Sequence, residues 1–317
     1  MQFTSRYLLL DLAKLMASFV IVAFHCGFLY DYNTFSYYIF CNGFVRIVVP
    51  FFLCISGFFI YTFFINNTFK HWVKRITILY LTWMLLYGFF WVKASLKSII
   101  TLLFGFNHLW YLAALLFGGI LLYYIKNLSS KKIFIIAIAL SIIGFTIQSL
   151  SFFNTISNPY FLAKIIHFTP TYRNFLFIGL PYLIIGFLIH RHQLHLKLKK
   201  NQIILLLVFG FTLLLLESLY GYYNYINRSL SIISLACLLL VPIIFIATLR
   251  FKLYLNTNSK LLSLYSIAVY LVHPIVIYFI TQFTILDTIT LTITTIVLSV
   301  IASYLIIQLN KTFKYLI

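Results

Sequence analysis

From residue 7 to residue 309 the chain is a succession of apolar runs, each close to the length that crosses a bilayer. A hydrocarbon core about 30 Å thick takes roughly 20 helical residues. By that measure the runs fall at about 7–30, 37–65, 76–92, 108–125, 132–151, 172–190, 202–220, 229–249, 262–282 and 286–309. Barrel strands are about ten residues long and alternate in polarity, so runs of this kind predict helices. The expected fold is all-α, a polytopic integral membrane protein of about ten transmembrane helices. Composition agrees: 63% of the 317 residues are hydrophobic and 9% are charged, against about 25% charged in soluble domains. The connections are short, which predicts one membrane domain over 1–317 with no soluble domain.

The formal charge of +19 comes from 23 Lys and Arg against 4 acids. In a soluble protein that excess would point to nucleic acid. Here most of the cations fall in one alternating set of ends and loops, including Lys70, Lys74, Arg75, Lys126, Lys131, Lys132, Arg191, Lys252 and Lys311. The positive-inside rule puts that set in the cytoplasm with both termini inside, so no nucleic-acid partner is expected and the partner is the lipid bilayer. Asp11 and Lys14 interrupt the first run, and no small-residue cleavage site follows, so the first span is expected to be retained. Cys26, Cys41, Cys54 and Cys237 form no metal-type pair and no disulfide framework; no metal is expected.

Polar residues inside the runs carry the functional signal. A charge at the bilayer centre costs about 2.5–3.5 kcal/mol on insertion scales, so such residues pair or face a wet cavity. In "DLAKLMASFVIVAFH" (11–25), Lys14 and His25 are eleven residues apart, close to three helical turns, and so share one face. They lie roughly 16 Å apart along the axis at 1.5 Å per residue. Asp11 precedes Lys14 by three residues, within reach of an ion pair. Arg46 stands in the outer half of the second run. His108, Trp110 and Tyr111 open the fourth, Arg173 opens the sixth, and His273 lies within the ninth. Pro50, Pro181 and Pro274 accompany these groups, which predicts broken helices around a polar intramembrane cavity. Each residue also has a plainer reading: Asp11 and Lys14 snorkelling to the interface, His108, Trp110 and Arg173 anchoring at the water boundary, His273 satisfied in the interior. The convergence of all of them favours a site.

Six segments, in order, resemble the acyltransferase-3 family of polytopic membrane O-acyltransferases. They are "KLMASFVIVAFH" (Lys14 to His25), "RIVVPFFLCISGFF" (Arg46 to Phe59), "FKHWVKRITILY" with Lys74 and Arg75, "HLWYL" (His108 to Leu112), "RNFLFIGLPYLIIG" (Arg173 to Gly186) and "YLVHP" (Tyr270 to Pro274). The family more often has arginine where this chain has Lys14, which keeps the charge and loses the planar fork. The resemblance implies acyl transfer, with acetyl-CoA or another acyl-CoA as cytoplasmic co-substrate and a hydroxyl of a glycan or other cell-surface molecule as acceptor. It also implies a bacterial cell membrane. His25, Lys14 and Asp11 would be catalytic. Lys70, Lys74, Arg75 and Ser56 would hold the donor. Arg46, His108, Trp110, Tyr111, Arg173 and His273 would serve the acceptor or the oxyanion. An imidazole, with an ordinary pKa of about 6.5, suits deprotonation of the hydroxyl. Direct transfer and an acyl-His25 intermediate are both open, as are two other classes: a transporter or flippase, and a small-molecule-binding membrane domain like that of vancomycin-resistance serine racemases.

Overall fold

The computed structural model describes residues 7–93, 96–153, 161–225, 233–253 and 258–317. Every regular element among them is helical. The long helices are α1 (Leu8–His25), α2 (Thr34–Ile65), α3 (Phe69–Leu86), α4 (Asn107–Ile125), α5 (Ser130–Phe153), α6 (Phe175–Arg191), α7 (Lys200–Tyr225), α8 (Ala236–Arg250), α9 (Ser259–Phe283) and α10 (Thr288–Thr312). Seven of them are long and apolar enough to cross a membrane: α1, α2, α4, α5, α7, α9 and α10. Helices α6 and α8 are apolar but shorter. The apolar run at 76–92 is half of a different object. Helix α3 begins at Phe69, so Lys70, Lys74 and Arg75 ride on its first turns rather than in a loop before it. The first four residues of the run at 229–249 lie outside the described residues.

The helix ends follow from local chemistry. Helix α1 stops at His25, five residues before its apolar run ends. Gly27 takes a left-handed φ of +70°. Its N–H donates to the Phe24 carbonyl at 3.1 Å, and the Phe28 N–H donates to Ala23 at 2.9 Å. That pair of bonds is a glycine-terminated helix end, and it sets His25 on the last turn of α1. At the far end of the chain Asp287 caps α10, accepting from the N–H groups of Ile289 and Thr290.

Two packing contacts position the site. Helices α2 and α6 cross so closely that a Cβ on Gly57 would collide with the Leu183 carbonyl, and one on Gly186 with the Cys54 carbonyl. Small residues allow this approach between membrane helices, and it fixes the helix carrying Arg46 against the one that follows Arg173. Helix α1 lies against α9 through polar bonds. Lys14 Nζ donates to Ser263 Oγ at 2.8 Å, and Ser266 Oγ donates to the Lys14 carbonyl at 2.8 Å.

The prolines do not break their helices. Helices α2 and α9 continue through Pro50 and Pro274. The irregular backbone is instead two π-helical segments, Phe40–Phe44 within α2 and Phe175–Gly179 at the start of α6. Each adjoins one of the arginines in sequence, and such segments recur at functional sites.

Candidate active site

Three histidines from distant runs meet. The His25 and His273 rings lie 5.1 Å apart, and His273 and His108 lie 5.3 Å apart. Proline chemistry orients the middle one. Pro274 has no N–H, so the Tyr270 carbonyl one turn earlier loses its helical donor. His273 Nδ1 takes that place at 2.8 Å. This bond makes Nδ1 the protonated nitrogen and leaves Nε2 a lone pair. Nε2 is buried and has no hydrogen-bond partner among the described residues. Two tyrosines brace the group: Tyr87 Oη donates to the Leu271 carbonyl at 2.8 Å, and Tyr270 Oη donates to the His108 carbonyl. Among the described residues, no three of His, Cys, Asp or Glu are arranged to hold a metal ion.

A cavity of about 100 Å³ opens beside His25, lined also by Arg46, Asn107, His108, Trp110 and Arg173. Arg46 is only 7% exposed. Its Nη2 donates to Asn42 Oδ1 at 2.6 Å, a pairing made by the four-residue spacing across the π-helical segment. Arg173 packs over the Trp110 ring at 5.4 Å, a cation–π contact. The loop carrying it is held by Asn174, whose side chain accepts from Leu176 and Phe177 N–H groups and donates to the Pro170 and Thr171 carbonyls.

Two further cavities reach this one from opposite ends. The first, about 440 Å³, starts at His71 and Arg75 and runs past Phe52 and Ser56 to Tyr111 and Tyr270. It shares Ile21, Val49 and Tyr270 with the cavity at His25. Tyr270 therefore stands between a long apolar channel and a small cationic chamber. The second, about 320 Å³, is lined by Tyr87, Phe90, Phe106 and Tyr278 and shares His25 and Asn107 with the chamber.

The structure thus gathers His25, Arg46, His108, Trp110, Arg173 and His273 into one place. Ser56, Tyr111 and Arg75 line the channel. Lys70 and Lys74 are exposed beside its mouth rather than in its wall. Asp11 and Lys14 sit apart, joined at 2.6 Å and lining none of these cavities. Sequence reasoning passed over His71, Asn42, Tyr87, Asn107 and Tyr270. It also passed over Glu217, an acid deep inside the apolar run at 202–220. Its Oε2 accepts from Ser234 Oγ at 2.9 Å and from the Ala236 N–H at 3.0 Å, capping α8.

A family profile described as an acyltransferase domain, Acyl_transf_3, matches residues 7–308. A protein described as an amino-acid racemase from Enterococcus faecalis is 32% identical over 148 residues, which is 43% of this chain and 21% of that protein. The chain therefore matches about a fifth of that relative's length. No solved structure matches significantly. With a profile that spans nearly its whole length, this chain belongs to the acyltransferase-3 family of membrane acyltransferases.

Proposed function

We propose that the protein moves an acyl group, acetyl in the simplest case, from acyl-CoA on the cationic side of the membrane to a hydroxyl presented from the opposite side. The carrying observation is the meeting of two routes at the chamber beside His25. The channel from His71 and Arg75 ends at Tyr270, and the aromatic vestibule shares His25 with the chamber. Cations at the channel mouth suit the CoA phosphates, and its apolar walls suit the pantetheine arm and thioester.

In this reading His25 is the general base. It takes the acceptor proton as the hydroxyl oxygen attacks the thioester carbonyl. A guanidinium of the chamber faces the developing oxyanion. The carbon–sulfur bond then breaks, and the CoA thiolate takes the proton back from His25. No acyl-enzyme is required, because donor and acceptor reach the same chamber. His273 is a positioning residue: its ring lies 5.1 Å from that of His25, and its unbonded Nε2 supports the His25 imidazolium. Lys14, paired with Asp11, fastens α1 to α9 and takes no part in the transfer. The acceptor is a hydroxyl of a glycan or other cell-surface molecule, and both termini are cytoplasmic, as the cation distribution supports.

Membranes carrying the protein, given radiolabelled acetyl-CoA, are expected to pass label to a base-labile ester product. His25→Ala is expected to abolish this while the protein still inserts. Retained labelling in that variant overturns the role of His25. A second reading, a membrane domain that handles an amino acid without acyl transfer, is supported by the match to the amino-acid racemase. Saturable amino-acid binding with no labelled product would favour it.

A further inference from the structure

The chamber beside His25 holds more positive charge than its surroundings balance. Arg46 and Arg173 both line it, and no carboxylate does. Arginine stays protonated, and an unpaired charge away from water is costly. Yet the Nε of each guanidinium is buried with no hydrogen-bond partner among the described residues. The protein contacts that they do make are to an uncharged amide, Asn42, and to the face of Trp110.

The acids of the chain are engaged elsewhere. Asp11 pairs with Lys14. Asp31 accepts from the Thr288 N–H at 2.9 Å, and Asp287 from Tyr32 and the first turn of α10. Glu217 caps α8 from a neighbouring cavity that Asn42 also lines, so its charge reaches Arg46 without a bond to it, and Arg173 has no such acid among the described residues. A transition-state oxyanion does not fill the gap. It exists only during transfer, whereas both cations are present in the resting protein. What fits two guanidinium groups with unmet Nε–H is a stable oxyanion group, since carboxylate and phosphate match their geometry.

We infer that the acceptor is an anion: its carboxylate or phosphate binds between Arg46 and Arg173 and presents a nearby hydroxyl to His25. This rests on the transferase reading and narrows it to a substrate class. The sizes agree. The chamber, about 100 Å³, suits the charged end of a molecule. The vestibule of about 320 Å³ has no charged side chain in its wall apart from the titratable His25, and its rings suit a neutral body such as a sugar.

The test has two arms. In the first, labelled product from membranes given radiolabelled acetyl-CoA is run on an anion-exchange column at pH 7. Retention is expected. A labelled but uncharged product overturns the inference and leaves the transferase reading standing. If no label moves at all, the transferase reading fails, and the second arm judges the anion site alone. Purified protein is melted with D-glucuronate against D-glucose and with glycerol 3-phosphate against glycerol. An anion is expected to raise the melting temperature where its neutral partner does not. At least tenfold more of it should be needed with Arg173→Gln, and less than that with Arg173→Lys, which keeps the charge. The Lys311→Ala variant, altered at the exposed end of α10, should respond as wild type. If neither anion outdoes its neutral partner, or if Arg46→Gln and Arg173→Gln both respond as wild type, the inference falls.

Discussion

The two ends of the polar stripe on α1 differ in how fully their partners are met. At the inner end Lys14 is bonded to Asp11 and to Ser263, and its own carbonyl accepts from Ser266. At the outer end His25 faces a chamber whose guanidinium groups keep unbonded N–H, and the neighbouring His273 keeps an unbonded nitrogen. Both ends break the apolar pattern in the same way. The first uses polar groups to lock helices together; the second spends packing and hydrogen bonds elsewhere to keep polar groups open. Polarity inside a span therefore does not mark catalysis. Unmet hydrogen-bonding capacity beside a cavity is the sharper sign.

The strongest way to break that contrast is to remove the open group. His25→Ala should lower transfer by about 10²–10⁴-fold, the usual worth of a general base, with the amount of folded protein unchanged. Lys14→Ala should do the reverse. It strips the cation from a buried carboxylate, and such losses run to about 3 kcal/mol, so yield and melting temperature drop while the rate per folded molecule stays near wild type. Asp11→Asn combined with Lys14→Met should recover much of the stability, because the charge and its counter-charge leave together. A folded Lys14→Ala protein that transfers nothing would erase the distinction between the two ends.

Asn42→Ala is a finer test, because Asn42 bridges the two categories. It is bonded like a structural residue yet aims Arg46. A hydrogen bond to a charged group is worth about 1.5–3 kcal/mol. We expect roughly a tenfold rise in the acceptor KM, with the donor KM and the melting temperature little changed. A fall in melting temperature with normal KM would move Asn42 to the structural side.

Much of this architecture is legible in the sequence because the bilayer simplifies the problem. Length alone finds the apolar helices, and an eleven-residue spacing puts Lys14 and His25 on one face. Arg46 and His273 stand out because a titratable group is rare in an apolar run. The meeting of His25, His108 and His273 is not legible. Lipid-facing and protein-facing positions are both apolar, so the pattern does not say which faces pack. The prolines misled for a related reason. A proline removes one bond, but a side chain can supply it, as His273 does for the Tyr270 carbonyl. Asn42 was within reach, four residues before Arg46, and so was Glu217 as a lone acid deep in an apolar run; neither needed the fold to be noticed.

The smallest expected effect comes from a third kind of polar residue, bonded but bathed in solvent. Asp287 lies beyond the spans and accepts from Tyr32 Oη at 3.0 Å as well as from two amides of α10. The hydrogen bonds from Thr290, side chain and backbone, lead in lowering its pKa from 3.8 to about 2. A carboxyl whose pKa is lower folded than unfolded stabilises the fold when ionised. Its contribution is whole above about pH 4 and fades as the pH falls through about 2. Amide exchange of Ile289 and Thr290 reads this directly. Asp287→Ala should exchange faster than wild type at pH 5, and the ratio of the two rates should shrink towards one as the pH drops to about 2. A ratio that stays constant over that range would mean that the carboxylate's charge does nothing for the cap. Transfer should be untouched, which sets Asp287 with Lys14 as a satisfied group and apart from the open chamber at His25.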